Sequence, residues 1–215
     1  IAAGGKTETL AADVAIVAVG IVGNVEDLGL EALGAKVERT HVVTDKHGAT
    51  GVPGLYAIGD VAGPPWLAHK ASHEGVHCIE HIAGLKPTNI ESPIPGCTYS
   101  TPQVASVGLT EAQATETYGA DAVESLTYAL GGNGKSQILK TQGFVKLVRR
   151  KDGPVVGVHL VGDRVGELIG EAQLIYNWEG YPEDVAPLVH AHPTQNEALG
   201  EAHLALAGKP LHAHS

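Results

Sequence analysis

An imidazole and a carboxylate stand close together near the C-terminus, in His190-Ala191-His192-Pro193-Thr194-Gln195-Asn196-Glu197. A carboxylate bound to one nitrogen of an imidazole fixes its tautomer and leaves the other nitrogen free as a general base. Glu197 paired with His192 makes such a base at a point where a helix should begin. The same residues fit a plainer arrangement. Thr194 and Glu197 have the Thr-x-x-Glu spacing of a capping box, which ties off a helix start. Spacing alone favours the cap, and the two uses of Glu197 do not exclude each other.

Other residue types and spacings also suit chemistry. Gly59-Asp60 follows a predicted strand at 55–58, and the C-terminal ends of such strands are where α/β sheets place ligand groups. The apolar run DVAIVAV at 13–19 predicts a buried strand ending at Gly20, a glycine that lets a ligand or another backbone come close. A core strand with a turn glycine is the commoner origin of that pattern. His69, His73, His77 and His81 lie four apart on a predicted helix at 67–84, a spacing that suits metal ligands. With no accompanying cysteine or carboxylate set they read as a solvated face, and no metal is assigned. Gly131-Gly132-Asn133-Gly134-Lys135-Ser136 fails as a phosphate loop, because the position that needs the first glycine is Ala129 and no convincing helix follows. It reads as a turn, as does Gly162-Asp163. His190 and His192 are not read as a metal pair; His190 is expected to support its neighbour or to be exposed.

The chain's totals narrow the function classes. Its 215 residues suit one large or two modest domains, and its 43% hydrophobic content is that of a globular protein. A net charge of -10 argues against nucleic-acid binding, which requires a basic surface. No apolar run approaches the roughly 20 residues of a membrane helix. Nothing marks export, and Cys78 and Cys97 form no close pair, so a reduced cytoplasmic setting is expected. Ile1 in place of methionine predicts a fragment.

The elements expected to carry these residues change character along the chain. After the strands at 13–19 and 55–58 and the helix at 67–84, a proline-rich polar stretch at 86–95 predicts a domain boundary. Beyond it, 104–108 reads as a strand, and Thr110-Glu111-Ala112-Gln113 offers a capping box for a helix to about Tyr118. Residues 144–149 and 155–161 predict strands joined at Asp152-Gly153-Pro154. Val165, Leu168, Ile169, Ala172, Ile175 and Tyr176 give the clearest amphipathic helix, at 164–179. A last helix is expected at 195–207. Strands interleaved with helices predict an α+β arrangement, an antiparallel sheet with helices packed on it.

Three stretches resemble a known family. His192-Pro193-Thr194-x-x-Glu197-Ala198 resembles the active-site signature of the disulfide-reductase flavoenzymes, the pyridine nucleotide-disulfide oxidoreductases. The longer run HAHPTQNEALGEA at 190–202 is most similar to their dihydrolipoamide dehydrogenase branch, the E3 component of 2-oxoacid dehydrogenase complexes. Thr50 to Asp60 resembles the family's second flavin motif, T-x-x-x-x-x-Y-A-x-G-D. Gly96 to Gly108 (GCTYSTPQVASVG) is similar to the start of its interface, or dimerisation, domain.

The resemblance implies an interface domain at 91–215, preceded by the central, FAD-contacting part of a flavoenzyme with two dinucleotide-binding domains at 21–90. Residues 1–20 would be the tail of its NAD-binding domain. It implies His192 as acid/base with Glu197 orienting it, and a cis His192–Pro193 bond. Asp60 would hold the ribityl hydroxyls of FAD with Gly59 leaving room, and Trp66, Leu67, Ala68 and His69 would contact the flavin. Trp66 departs from a position often held by methionine. Gly20 would lie beside NAD. Many relatives carry a Gly-Arg-Arg-Pro-type run there, but this chain has Gly20-Ile21-Val22-Gly23-Asn24, so no arginine contact carries over.

The expected partners are a second copy, through the interface domain, and the lipoyl domains and E2 core of a 2-oxoacid dehydrogenase complex. The redox cysteine pair and the Gly-x-Gly-x-x-Gly motifs of the whole enzyme are absent from the chain, which predicts that it is inactive alone. A non-catalytic dimerisation module is the alternative. Within the enzymes, glutathione reductase, mercuric reductase and soluble transhydrogenase are the rivals. Mercuric reductase is disfavoured by His192 and by the Ala213-His214-Ser215 end, and the run 197–202 favours the lipoamide enzyme over the other two.

Overall fold

A computed structural model describes residues 2–3, 5–86 and 93–213. Ile1, His214, Ser215 and most of the expected boundary at 86–95 lie outside the described residues. The chain divides into two compact units, 1–90 and 91–215.

The first unit contains a two-stranded pair, β1 (Ala2–Ala3) with β2 (Lys6–Thr7), then α1 (Leu30–Leu33). A second short pair follows, β3 (Val37–Glu38) with β4 (His41–Val42), and then the long helix α2 (Ala68–Ile82). A small core of Leu30, Ala35 and Val42, packed by Val37, Val52, Leu55 and Val61, holds the loops in place. Two expected strands do not form here. Residues 13–19 form no strand, and Val14, Ile16, Val17 and Val19 are all exposed. Residues 55–58 make only the isolated bridge from Tyr56 to Ala49. A buried strand needs ladder partners on its edges; residues 13–19 have none among the described residues, and 55–58 have only the short turn-back against 48–50. Helix α2 buries Lys70 and Cys78, while Val76, Ile79 and Ile82 stay exposed.

The second unit is built on a five-stranded sheet. In chain order its elements are β5 (Gly96–Thr98), β6 (Gln103–Gly108), α3 (Glu111–Tyr118), β7 (Val123–Ala129), α4 (Gly134–Leu139), β8 (Phe144–Arg150) and β9 (Val155–Gly162), followed by α5 (Val165–Asn177), α6 (Pro182–Val185) and α7 (Glu197–Leu206). The sheet order is β5-β6-β9-β8-β7, and every pair is antiparallel. The chain is α+β, as the sequence predicts.

Successive side chains of a strand point to opposite faces, and here the two faces are covered by different helices. Val145, Leu147, Val158 and Leu160 join Val165, Ala172 and Ile175 of α5 and Ala198, Leu199 and Ala202 of α7 in the main core. Val148 points the other way, and a β-bulge that leaves Val156 unpaired turns it to the same side, where both pack with Ala114 of α3. Truncating a fully buried leucine such as Leu160 or Leu199 costs about 2–5 kcal/mol in cores of this kind. Thr110 and Gln113 form the expected capping box of α3. The stretch 131–136, expected to be a turn, instead leads into α4, whose first turn is capped by Asn133.

Helix α7 carries a buried carboxylate. Glu201 is 5% exposed, and its Oε1 accepts the N–H groups of Leu211, His212 and Ala213 at 2.8, 2.6 and 2.9 Å. These bonds fold the segment after the helix back onto it. Among the described residues, no helix is long and apolar enough to cross a membrane.

Candidate active site

Helix α7 starts at Glu197 with Asn196 at the N-cap position and no side-chain cap. Glu197 instead reaches back into the loop before it. One carboxylate oxygen accepts the Thr194 N–H at 2.7 Å, and the other lies 2.9 Å from His192 Nδ1. The Thr194 hydroxyl donates to the Ala191 carbonyl at 2.6 Å. Only the carboxylate half of the expected capping box is therefore formed, and the second oxygen of Glu197 is given to the histidine. The His192–Pro193 bond is cis, as the family resemblance implies.

The pair has a defined polarity. Burial acts to raise the pKa of Glu197, but the Thr194 N–H and the bond to His192 outweigh it and hold the carboxyl below its ordinary value. An ionised carboxylate only accepts, so a neutral His192 carries its proton on Nδ1 and presents a lone pair at Nε2. The His192 side chain is 75% exposed against 28% for Glu197. The arrangement is a surface imidazole with its inner nitrogen anchored and its outer nitrogen available to a proton donor.

Three more residues hold the loop. Asn133 caps α4 by accepting from Ser136 N–H at 2.9 Å, and its amide donates to the Thr194 carbonyl at 3.0 Å. Glu171 of α5 meets His190 Nε2 at 2.8 Å with one oxygen and accepts the Asn196 amide with the other. His190 fits because residue 200 is glycine: a Cβ there would stand 2.5 Å from His190 Nδ1. Sequence reasoning missed Asn133, Glu171 and Asn196. Asn133 three residues before Ser136 is a helix-start signal hidden among glycines. Glu171 gives no local signal, since His190 and Asn196 lie 19 and 25 residues further on. Close by on α7, His203 is fully buried. Burial lowers its pKa, against the raising effect of its bond to the Leu199 carbonyl.

The remaining expected site residues lie in the first unit. Gly20, Ile21, Val22, Gly23, Asn24, Asp60 and Val61 line an open cleft of about 550 Å³, which suits a small molecule. Gly59 and Asp60 open a 3-10 turn at 59–62 in which Gly59 has φ +72, a left-handed conformation natural to glycine. The turn is locked from α2. Glu74 accepts the Gly59 N–H at 2.7 Å, while buried Lys70 donates to the Gly63 carbonyl at 2.7 Å and pairs with Glu74 at 3.0 Å.

Trp66 and Leu67 run into the start of α2, where Ala68 and His69 form the first turn. Leu67, the N-cap residue, makes no side-chain cap. First-turn amides have no acceptor within a helix, so this end suits negative charge or a carbonyl. The Trp66 indole is already engaged, donating to His41 Nε2 at 3.2 Å. The acceptor Asp60 in the cleft and the uncapped end of α2 fit a cofactor with a polyhydroxyl chain and a polar ring. The histidine stripe of α2 gathers no metal-binding group among the described residues. His73 and His77 meet edge to face, and His81 stacks on His47.

Comparison with known proteins gives this geometry its context. Residues 94–203 match the family profile described as pyridine nucleotide-disulphide oxidoreductase, dimerisation domain, and residues 2–75 match that of pyridine nucleotide-disulphide oxidoreductase. The chain belongs to the pyridine nucleotide-disulphide oxidoreductases. Within that family it is 49% identical to a dihydrolipoyl dehydrogenase of Rhizobium etli over 97% of this chain and 44% of the relative. It is 44% identical to one of Zymomonas mobilis, over 92% of this chain and 43% of the relative. The mitochondrial dihydrolipoyl dehydrogenase 2 of Arabidopsis thaliana is 38% identical, over 98% of this chain and 42% of the relative.

The chain thus spans less than half the length of the curated relatives it matches. Two solved structures share the fold. LpdA of Mycobacterium tuberculosis superposes with a TM-score of 0.77 at 24% identity, over 86% of this chain and 41% of that one. RclA of Escherichia coli, an HOCl-induced flavoprotein disulfide reductase, gives 0.80 at 23%, over 86% of this chain and 43% of that one.

Proposed function

We propose that this chain is the C-terminal part of a flavin-dependent dihydrolipoamide dehydrogenase and supplies its acid/base pair. The observation that carries the reading is the 2.9 Å contact of His192 Nδ1 with Glu197, which leaves Nε2 outward as a proton acceptor. The similarity to dihydrolipoyl dehydrogenases across nearly the whole chain supports the substrate class.

In this reading Nε2 of His192 removes the proton from one thiol of a dihydrolipoyl group. Glu197 keeps the ring turned and stabilises the imidazolium that forms. The thiolate then attacks a disulfide that this chain does not supply, since Cys78 is buried, Cys97 is partly buried, and both are free thiols. FAD, when bound, would supply the electron relay between the dithiol and NAD⁺. Asp60 would hold the hydroxyls of that cofactor, with Gly59 giving it room and with Trp66, Leu67, Ala68 and His69 against its ring. Gly20 would lie beside the nicotinamide nucleotide. Residues 91–215 would pair with a second copy, and lipoyl domains on an E2 core would be the dithiol carriers. We place the protein in the cytoplasm, where its two free cysteines stay reduced.

The test is His192→Gln in the complete polypeptide. Removing a general base of this kind slows dithiol oxidation by about 10²–10⁴-fold, while flavin absorbance stays stoichiometric. Equal loss of both would assign His192 a structural role. The 215-residue chain alone, its mass confirmed, is expected to be colourless and inactive. Turnover by it would overturn the assignment of the disulfide to other residues.

A further inference from the structure

We infer that Glu171 is a positioning residue for His192, acting through His190 and Asn196 at the two ends of the loop that carries it. The inference rests on the reading of His192 as the base. Glu171 sits on α5, outside the loop, and its hydrogen bonds go to the neighbours of His192 rather than to His192 itself. Its two oxygens are divided, one to His190 Nε2 at 2.8 Å and one to the Asn196 amide. Those partners bracket residues 191–195, so a single carboxylate fixes both ends of a short segment. Each end then has an inner support. On the N-terminal side, His190 is seated against Gly200, where no side chain larger than hydrogen fits without moving it. On the C-terminal side, Asn196 is the N-cap residue of α7, next to Glu197. Glu171 therefore joins α5 to the start of the helix that orients the imidazole.

The chemistry of the contact favours this role over general stability. His190 is only 11% exposed and Glu171 26%, so both contacts are shielded from competing water. A partly buried acceptor with two donors at defined places sets a geometry, and displacing a catalytic group by about 1 Å costs up to roughly 10²-fold in rate. The base itself is exposed and anchored through Glu197, so the precision of its placement depends on how firmly the loop ends are held.

The experiment has two readouts. In this chain, ¹⁵N-histidine NMR reports the His192 tautomer, and hydrogen exchange reports the Thr194 amide. In the complete polypeptide, kcat and KM for the dithiol are measured. Glu171→Ala is expected to lower kcat by roughly 10–100-fold with little change in KM, to blur the single Nδ1–H tautomer of His192, and to speed Thr194 exchange. Glu171→Gln should restore most of the rate. Its amide oxygen can serve His190, and Asn196 can rotate to offer its own oxygen to the amide nitrogen.

Unchanged tautomer and rate in a folded Glu171→Ala would overturn the inference. If that variant does not fold, Asn196→Ala decides, since it cuts one arm and leaves Glu171 with His190. Normal kcat and Thr194 exchange there would equally overturn it. His192→Gln separates the two claims. If it leaves dithiol oxidation intact, the base reading has failed; if it abolishes oxidation while the Glu171 variants are silent, only the positioning role has.

Discussion

Glu197→Gln is the sharpest perturbation of the site, because it changes one atom and reverses a hydrogen-bond polarity. The carboxylate accepts twice, from Thr194 N–H at 2.7 Å and from His192 Nδ1 at 2.9 Å. A glutamine has one accepting oxygen. The Thr194 amide is part-buried and its N–H is fixed by the backbone, whereas the exposed imidazole can change tautomer at little cost. The oxygen will therefore stay on Thr194, and the amide nitrogen will face Nδ1. That nitrogen must then accept, so the proton moves to Nε2 and the outward lone pair disappears. Keeping the original tautomer would set two donors against each other. The variant loses a charge-assisted bond of about 1.5–3 kcal/mol and gains at most a neutral one of about 0.5–1.5 kcal/mol in the wrong sense. Together these place the competent tautomer about 2–4 kcal/mol uphill, a loss of roughly 30- to 1,000-fold in rate. Stability should change much less, since the loop keeps its other anchors. ¹⁵N-histidine NMR of the chain reads the tautomer directly, and single-turnover reduction in the complete polypeptide reads the rate. A His192 that keeps its proton on Nδ1 in the variant, or a rate within threefold of the parent, would refute the reasoning.

The remaining expectations use other parts of the structure. His203 is fully buried with its pKa lowered by burial. The unfolded chain therefore takes up that proton first, and stability present above the ordinary histidine value of about 6.5 falls as the pH drops below it. His203→Gln should flatten that limb in pH-dependent chemical denaturation, and an unchanged limb would assign the loss to other groups. Glu197 adds a second, more acidic loss. Its carboxyl sits below the ordinary value, so its contribution is complete above that value and vanishes as the pH falls through the lowered one; in Glu197→Gln this step should be missing. Lys70→Met should destabilise the first unit by about 1–3 kcal/mol, because it leaves the partly exposed Glu74 carboxylate without its cation. Faster hydrogen exchange at Gly59 would report the loosened turn, and unchanged exchange would show that Glu74 holds it alone.

What could be read in the sequence follows the range of the interactions. The hairpin of β8 and β9 was legible because its strands alternate and Asp152-Gly153-Pro154 marks the turn. Helix α3 was legible because Thr110 and Gln113 announce its start. The His192–Glu197 pair was visible for the same reason, since both residues lie on one short loop. Strand β7 escaped because it is an edge strand in which only Tyr128 is buried, so its pattern lacks a strong apolar face. Asn133 escaped because the surrounding glycines read as a turn. Residues 13–19 have the composition of a core strand but no ladder partner among the described residues, and composition cannot supply one. Glu171 was out of reach altogether, since its role exists only once α5 has been laid beside the loop.

The carboxylate of Glu201 has a consequence for where the polypeptide can be cut. Its solvation shell is made of the segment that follows the helix, the amides of Leu211, His212 and Ala213. Those few residues add little apolar surface, yet they substitute for water around a charge that α7 has already carried inside. A protease nick or a stop codon just after Lys209 would strand that charge, and the helix would have to admit solvent around it. The tail is thus a lid on a dielectric fault line one turn away from Glu197, and trimming it should be felt first at the helix that orients the base.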